Sequence, residues 1–138
     1  LNTWRGEQWT SCQTISSVLL TLCTLLCKDP LLNEPGITNS HKDFDSYSRI
    51  IEYKNIEIAY LHMINKDERT FSPKFDVFYG YMKEYFYKNA DAIAENLEKY
   101  KNERSQPEKI TTSLYSMMTI LDYNKLYSYF METKTKMA

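Results

Sequence analysis

The sequence predicts an all-α chain. Three observations carry this expectation. Only three glycines and four prolines punctuate 138 residues, no stretch alternates apolar with polar side chains for long, and apolar residues recur at three- and four-residue spacing. A chain of this length is one domain's worth, enough to bury a core.

Residues 1–13 read as irregular, with a turn at Arg5-Gly6. Thr14 is the expected N-cap of a first helix over 14–28. On a helical wheel Ile15, Val18, Leu19, Leu22, Leu25 and Leu26 form a broad apolar arc, which Leu20, Cys23 and Cys27 widen. Ser17, Thr21 and Thr24 leave only a narrow stripe of small polar residues. A helix apolar over most of its circumference is a buried helix. Each large side chain gains about 1.5–3 kcal/mol on full burial, so this helix left in water forfeits about ten kcal/mol, more than many domains have to spare. Something has to cover it.

"KDPLLNEPG" ends the first helix, with two prolines and a glycine in nine residues. After a polar stretch over 40–46, a second helix is expected over 46–64, with Tyr47, Ile50, Ile51, Ile58, Leu61 and Ile64 as its apolar positions. "NKDERTFSP" reads as a linker. Ser72 as cap and Pro73 in the first turn start a third helix, carrying Phe75, Phe78, Tyr79, Met82, Tyr85 and Phe86. A further helical stretch over 90–102 is charged and solvated in character, and "NERSQPEK" is a second linker. A last helix from Pro107 to Lys134 places Ile110, Leu114, Met117, Met118 and Leu121 on one face. Its apolar phase slips at Asp122–Asn124 toward Leu126, Tyr127 and Phe130, which predicts a kink or break there.

Composition excludes several functions. Seventeen basic against eighteen acidic residues leave a net charge of −1, without the Lys and Arg clusters that displace counterions from phosphates. The aromatic run "FDVFYGYMKEYFY" has helical spacing and no interleaved basic stripe, so it reads as core or partner-facing surface, not as a base-stacking platform. Nucleic acid is not an expected partner. Neither is a membrane, because no run reaches the roughly 18 apolar residues of a span. The opening stretch also lacks a basic start and a small-residue cleavage site. Cys12, Cys23 and Cys27 are expected to be reduced, buried thiols of an intracellular protein, cytoplasmic or nuclear. Cys23 and Cys27 share a helix face, but a structural zinc site wants four ligands, and only His41 and His62 remain. No metal and no cofactor is expected. Neither G-x-S-x-G nor a glycine-rich phosphate loop occurs.

The stretch "LNTWRGEQWTSCQTISSVLLTLCTLLCKDPLLNEPG" is more specific. Trp9, Thr14-Ile15, Val18-Leu19-Leu20, Leu22, Leu25-Leu26 and Asn33-Glu34-Pro35-Gly36 stand in the order of a known pattern. It resembles the segment that follows the active-site cysteine in ubiquitin-conjugating enzymes: a Trp-Ser-Pro-Ala loop, a buried central helix, and a loop containing Asn-Pro or Asn-Glu-Pro. "LNTWRGEQW" and "FDSYSRIIEYKNIEIAYLHMI" resemble the large branch of that family with helical C-terminal extensions. The resemblance covers residues 1 to about 64; residues 71–138 are similar only in being a helical tail.

The resemblance implies that the helix at 14–28 packs across an antiparallel strand meander, and that the meander, the His-Pro-Asn turn and the nucleophilic cysteine all lie upstream. The chain is then the C-terminal helical part of an α/β conjugating fold, residues 1–65 belonging to the core and 66–138 to the extension. It implies acyl transfer: a cysteine thioester of ubiquitin or a ubiquitin-like protein, received from an activating enzyme and passed to a substrate lysine, with a ligase as a further partner. Asn33 and Glu34 fall in the gate loop beside the cysteine, and Glu34 is the acid expected to orient and deprotonate the lysine. Trp9, Thr10, Ser11 and Cys12 match the ligase-contacting turn. Ser11 stands where the family has a stiffening proline, a departure that bears on ligase binding. Cys12 is not expected to act as nucleophile, since it enters the helix with no acid or base arranged around it. The rival expectation is a non-catalytic helical interaction module acting through its aromatic surface.

Overall fold

The computed structural model describes residues 12–137, which fall into two compact units divided between Phe44 and Asp45.

In the first unit, α1 spans Ile15–Leu25. Thr14 caps it as expected, and the cap is reciprocal. The Ser17 N–H donates to Thr14 Oγ1 at 3.1 Å, while the Thr14 N–H donates to Ser17 Oγ at 2.9 Å, so two otherwise orphaned donors are satisfied. Pro30 starts a short 3-10 turn, Pro30–Asn33. The expectation that α1 is buried is not met: none of its residues is buried, and Ile15 and Leu26 are 81% and 86% exposed. Cys12, Cys23 and Cys27 are likewise free and exposed, not buried. Nothing among the described residues buries the apolar arc, which leaves Cys23 exposed with it, while Cys12 precedes the helix and Cys27 follows it.

The second unit has its own core. Helix α2, Phe44–Lys54, runs directly into a π-helical segment, Asn55–His62. Hydrogen bonds from i to i+5 advance each residue by less than the 100° of an α-helix, so the phase that placed Ile58 inside no longer holds. Ile58 is exposed, while Ile56 and Tyr60 pack against the core. Ser72 caps the next element through a bond from the Lys74 N–H, with Pro73 in first position, in a 3-10 turn over Pro73–Phe78. The two helical stretches expected at 73–86 and 90–102 are then one helix, α3, Tyr79–Glu103. Phe86, Ala90 and Leu97 form a continuous buried stripe along it.

The all-α expectation is corrected in the last quarter. Instead of a helix from Pro107, strands β1 (Glu108–Thr111) and β2 (Met118–Leu121) form an antiparallel hairpin in which Ile110 faces Thr119 and Glu108 faces Leu121. The β-branched residues Ile110, Thr111, Thr119 and Ile120 suit a pleated surface. Ile110 and Leu121 turn inward and Met118 and Ile120 outward, the two-residue period of a half-buried strand. The turn holds Tyr115 and Ser116 at φ of 61° and 49°, the left-handed region that hairpin turns require. Where the apolar phase slips, the chain does break: Asp122 Oδ1 accepts from the Lys125 N–H at 2.9 Å and caps α4, Tyr123–Met137.

The core joins Ile50, Tyr53, Leu61, Phe86, Leu97, Ile110, Leu121, Tyr123, Leu126 and Phe130. Several polar side chains are paired in the same space, while among the described residues Ser48 Oγ, Arg49 Nε and His62 Nδ1 are buried without a hydrogen-bond partner. Asn65 Nδ2 donates to Thr133 Oγ1 at 2.8 Å and to the Leu61 carbonyl at 3.0 Å. Tyr60 donates to the Phe86 carbonyl, and Arg49 pairs with Glu108 on the hairpin.

Burial pushes the Tyr53 and Tyr60 phenols up to about 12, and Tyr100 reaches about 12 chiefly because its hydroxyl donates to the Glu52 carboxylate. Unfolded tyrosine ionises near pH 10, about two units lower. Protonated phenols therefore stabilise the fold fully below about pH 10, and that contribution is lost as pH rises toward 12. In an absorbance titration these three tyrosines are expected to ionise only near pH 12 or on unfolding. All twelve tyrosines ionising near 10 in the folded chain, about the unfolded value, counts against the packing described.

Candidate functional site

The gate expected at Asn33 and Glu34 lies in the first unit, where the chain leaves α1. Leu26 ends the helix outside helical backbone angles, and the Cys27 N–H turns back to the Leu25 carbonyl at 3.0 Å. Pro30 fixes the start of the 3-10 turn, and Leu31 is completely buried. The Glu34 N–H then donates to the Leu31 carbonyl at 3.1 Å, and the Ile37 N–H to the Glu34 carbonyl at 3.2 Å. Gly36 sits at φ +77°, a left-handed position that strains any L side chain. The backbone around Glu34 is held on both sides.

The two side chains expected at the gate differ. Asn33 Nδ2 donates to the Leu25 carbonyl at 2.9 Å and reaches Cys27 Sγ at 3.7 Å. The Glu34 carboxylate is half-buried and makes no hydrogen bond or ion pair among the described residues. The structure thus brings the two residues together in one turn, with the acid unengaged and the amide engaged.

Of the turn matched to ligase contact, Trp9, Thr10 and Ser11 lie outside the described residues. Cys12 is exposed just before the Thr14 cap. Among the described residues no group of three or more His, Cys, Asp or Glu side chains stands close enough to hold a metal, and no helix is long and apolar enough to cross a membrane.

Two features escaped the sequence reading. One is the bond of Asn33 to the end of α1, for which the only signal is an amide residue shortly after a helix stop. The other lies in the second unit. A cavity of about 500 Å³ opens between the π-helical segment and α3, lined by Asn55, Ile56, Tyr60, Met63, Met82 and Tyr85 among others. The aromatic run pointed to its α3 wall; nothing in the sequence pointed to the π winding that shapes the opposite one.

No protein-family model matches the chain. Curated relatives do. The chain is 36% identical over 66 residues to ubiquitin-conjugating enzyme E2 Z of Homo sapiens, covering 46% of this chain and 19% of that protein. The similarity is to ubiquitin-conjugating enzymes. The Xenopus tropicalis ubiquitin-conjugating enzyme E2 Z is 35% identical over 66 residues, 46% of this chain and 21% of that protein. The one from Danio rerio is 30% identical over 97 residues, 61% of this chain and 30% of that protein. The chain spans less than a third of the length of these ubiquitin-conjugating relatives. They support the relationship to that family expected from the sequence.

Proposed function

We propose that this chain is the C-terminal part of a ubiquitin-conjugating enzyme of the branch with a helical C-terminal extension. Residues 1–65 complete the conjugating core and 66–138 form the extension. The observation that carries the reading is the partial similarity to ubiquitin-conjugating enzymes. The geometry of α1 supports it: an apolar arc exposed in the described structure is what a helix shows when the sheet it belongs against is not present.

The chemistry is acyl transfer inside the cell. A cysteine upstream of Leu1 takes ubiquitin or a ubiquitin-like protein from an activating enzyme as a thioester, and a substrate lysine attacks the thioester carbonyl. The lysine ammonium loses one proton to become nucleophilic and a second as the neutral amide forms, with the Glu34 carboxylate and solvent as acceptors, and the cysteine leaves as thiolate. Glu34 is the acid that orients the amine, and its unengaged carboxylate suits that role. Trp9, Thr10, Ser11 and Cys12 are the candidate ligase-contact residues, with Ser11 in place of the family's proline. The nucleophile is not in this chain, and Cys12 does not replace it.

A second reading, a non-catalytic helical interaction module, draws on the apolar cavity of the second unit. One experiment separates them. The coding frame upstream of Leu1 is expected to supply a His-Pro-Asn turn and a cysteine, and the enzyme carrying that half is expected to load ubiquitin or a ubiquitin-like protein as a reducible thioester. Glu34→Ala should then slow transfer to lysine by on the order of a hundredfold while leaving loading nearly intact. Equal slowing of both steps would make Glu34 structural. No loading at all would favour the interaction module.

A further inference from the structure

Resting on the conjugating-enzyme reading, we infer that Asn33 is a positioning residue of the gate: its side chain ties the loop to the end of α1 and so sets where the Glu34 carboxylate points. The last carbonyls of a helix have no partner within it and take whatever donors the following chain offers. Here the Leu25 carbonyl receives two, the Cys27 N–H at 3.0 Å and Asn33 Nδ2 at 2.9 Å. The second comes from eight residues downstream and closes the loop into a ring. Among the described residues it is the one side-chain hydrogen bond from the 28–36 loop to α1.

Glu34 follows Asn33 directly, so the anchor and the acid share a peptide plane. With the backbone of Glu34 also bonded to Leu31 and Ile37, the remaining freedom of the acid is rotation of its own side chain. Asn33 Nδ2 is engaged at the helix end, and a neutral amide has no basic atom to take a proton from a lysine. The two gate residues therefore divide the work: Glu34 meets the amine, and Asn33 acts through Glu34.

The test is single-turnover discharge of preloaded thioester to free lysine, in the enzyme carrying its upstream half. Asn33→Ala is expected to lower the maximal discharge rate roughly fivefold, the effect of one lost orienting hydrogen bond, with KM for lysine and thioester loading unchanged. Asn33→Gln keeps the donor and should recover most of the rate; Asn33→Asp keeps the shape without the donor and should not. In a Glu34→Ala background, Asn33→Ala should cost nothing further, because the group it positions is gone. Losses that multiply across the two substitutions, equal slowing of loading, or an unimpaired Asn33→Asp enzyme would overturn the inference while leaving the parent reading standing. Failure of the unsubstituted enzyme to load would instead overturn the parent reading, and this inference with it.

Discussion

Purified alone, the chain is expected to run as a self-associated species instead of a sharp monomer. Ile15, Leu19, Leu20, Leu22 and Leu26 are each more than half exposed on one short helix. Covering them regains about 7 kcal/mol or more at 1.5–3 kcal/mol per side chain. Exposed apolar strips beyond a few hundred Å² drive proteins together. Size-exclusion chromatography with light scattering should show the association. Leu20→Lys with Leu26→Lys, at the 69% and 86% exposed positions, should shift the chain toward monomer. The near-UV dichroism of the second unit should survive both the association and its removal, because that core closes on its own residues. A sharp, unsubstituted monomer would mean that the helices need no further cover, and the conjugating-fragment reading would be abandoned for a self-sufficient helical domain.

The largest loss of stability from one substitution is expected at Phe130. It is fully buried, with its ring 5.9 Å from Phe86 and 6.2 Å from Tyr60, nearly parallel to the latter at 7°. Tyr60 and Phe86 are themselves stacked at 5.2 Å, so the three rings form one closed cluster joining the π-helical segment, α3 and α4. Truncation to alanine removes the transfer energy of a phenyl group and leaves a hole that flat neighbours fill poorly. Phe130→Ala should cost about 3–5 kcal/mol, against about 5–15 kcal/mol for a whole domain. Tyr81→Ala, at a position 73% exposed, should stay within about 0.5 kcal/mol. Urea melts of the two variants check the contrast; a loss below about 1 kcal/mol at Phe130 would mean that the ring cluster is not the centre of the core.

The parts of the fold that depend on a few adjacent residues were legible in the sequence. The caps at Thr14 and at Ser72 with Pro73 act over one turn and stand where expected, whereas the first helix, expected to reach Lys28, ends at Leu25. The hairpin was not legible. Ile110, Leu114, Met117, Met118 and Leu121 have helical spacing, and the turn that decides for strands has no Asn-Gly or Asp-Gly signal; Tyr115 and Ser116 occupy its left-handed positions. The single α3 was hidden for a related reason. Its polar surface from Lys88 to Lys101 reads as solvated, while Phe86, Ala90 and Leu97 reach the core only through tertiary packing. Asn33 and Glu34, the residues proposed for the gate, rest on family pattern, which places residues but not their side chains. That one amide turns back to the helix while its neighbour stays unengaged is a matter of loop geometry, beyond what a motif encodes.

Several of the ties that hold α2 and its π-helical continuation are remote along the chain. Arg49 meets Glu108 across 59 residues, Asn65 meets Thr133 across 68, and Tyr53 meets the Asp122 carbonyl across 69. Closing loops of that length costs about 3–4 kcal/mol of chain entropy before any contact is made, whereas α3, the hairpin and α4 are joined by short connections. These contacts of the segment from α2 to Ile64 are therefore among the entropically costliest in the second unit to close. The segment's π-helical part forms one wall of the 500 Å³ cavity, so a local opening of that part would widen the cavity's mouth.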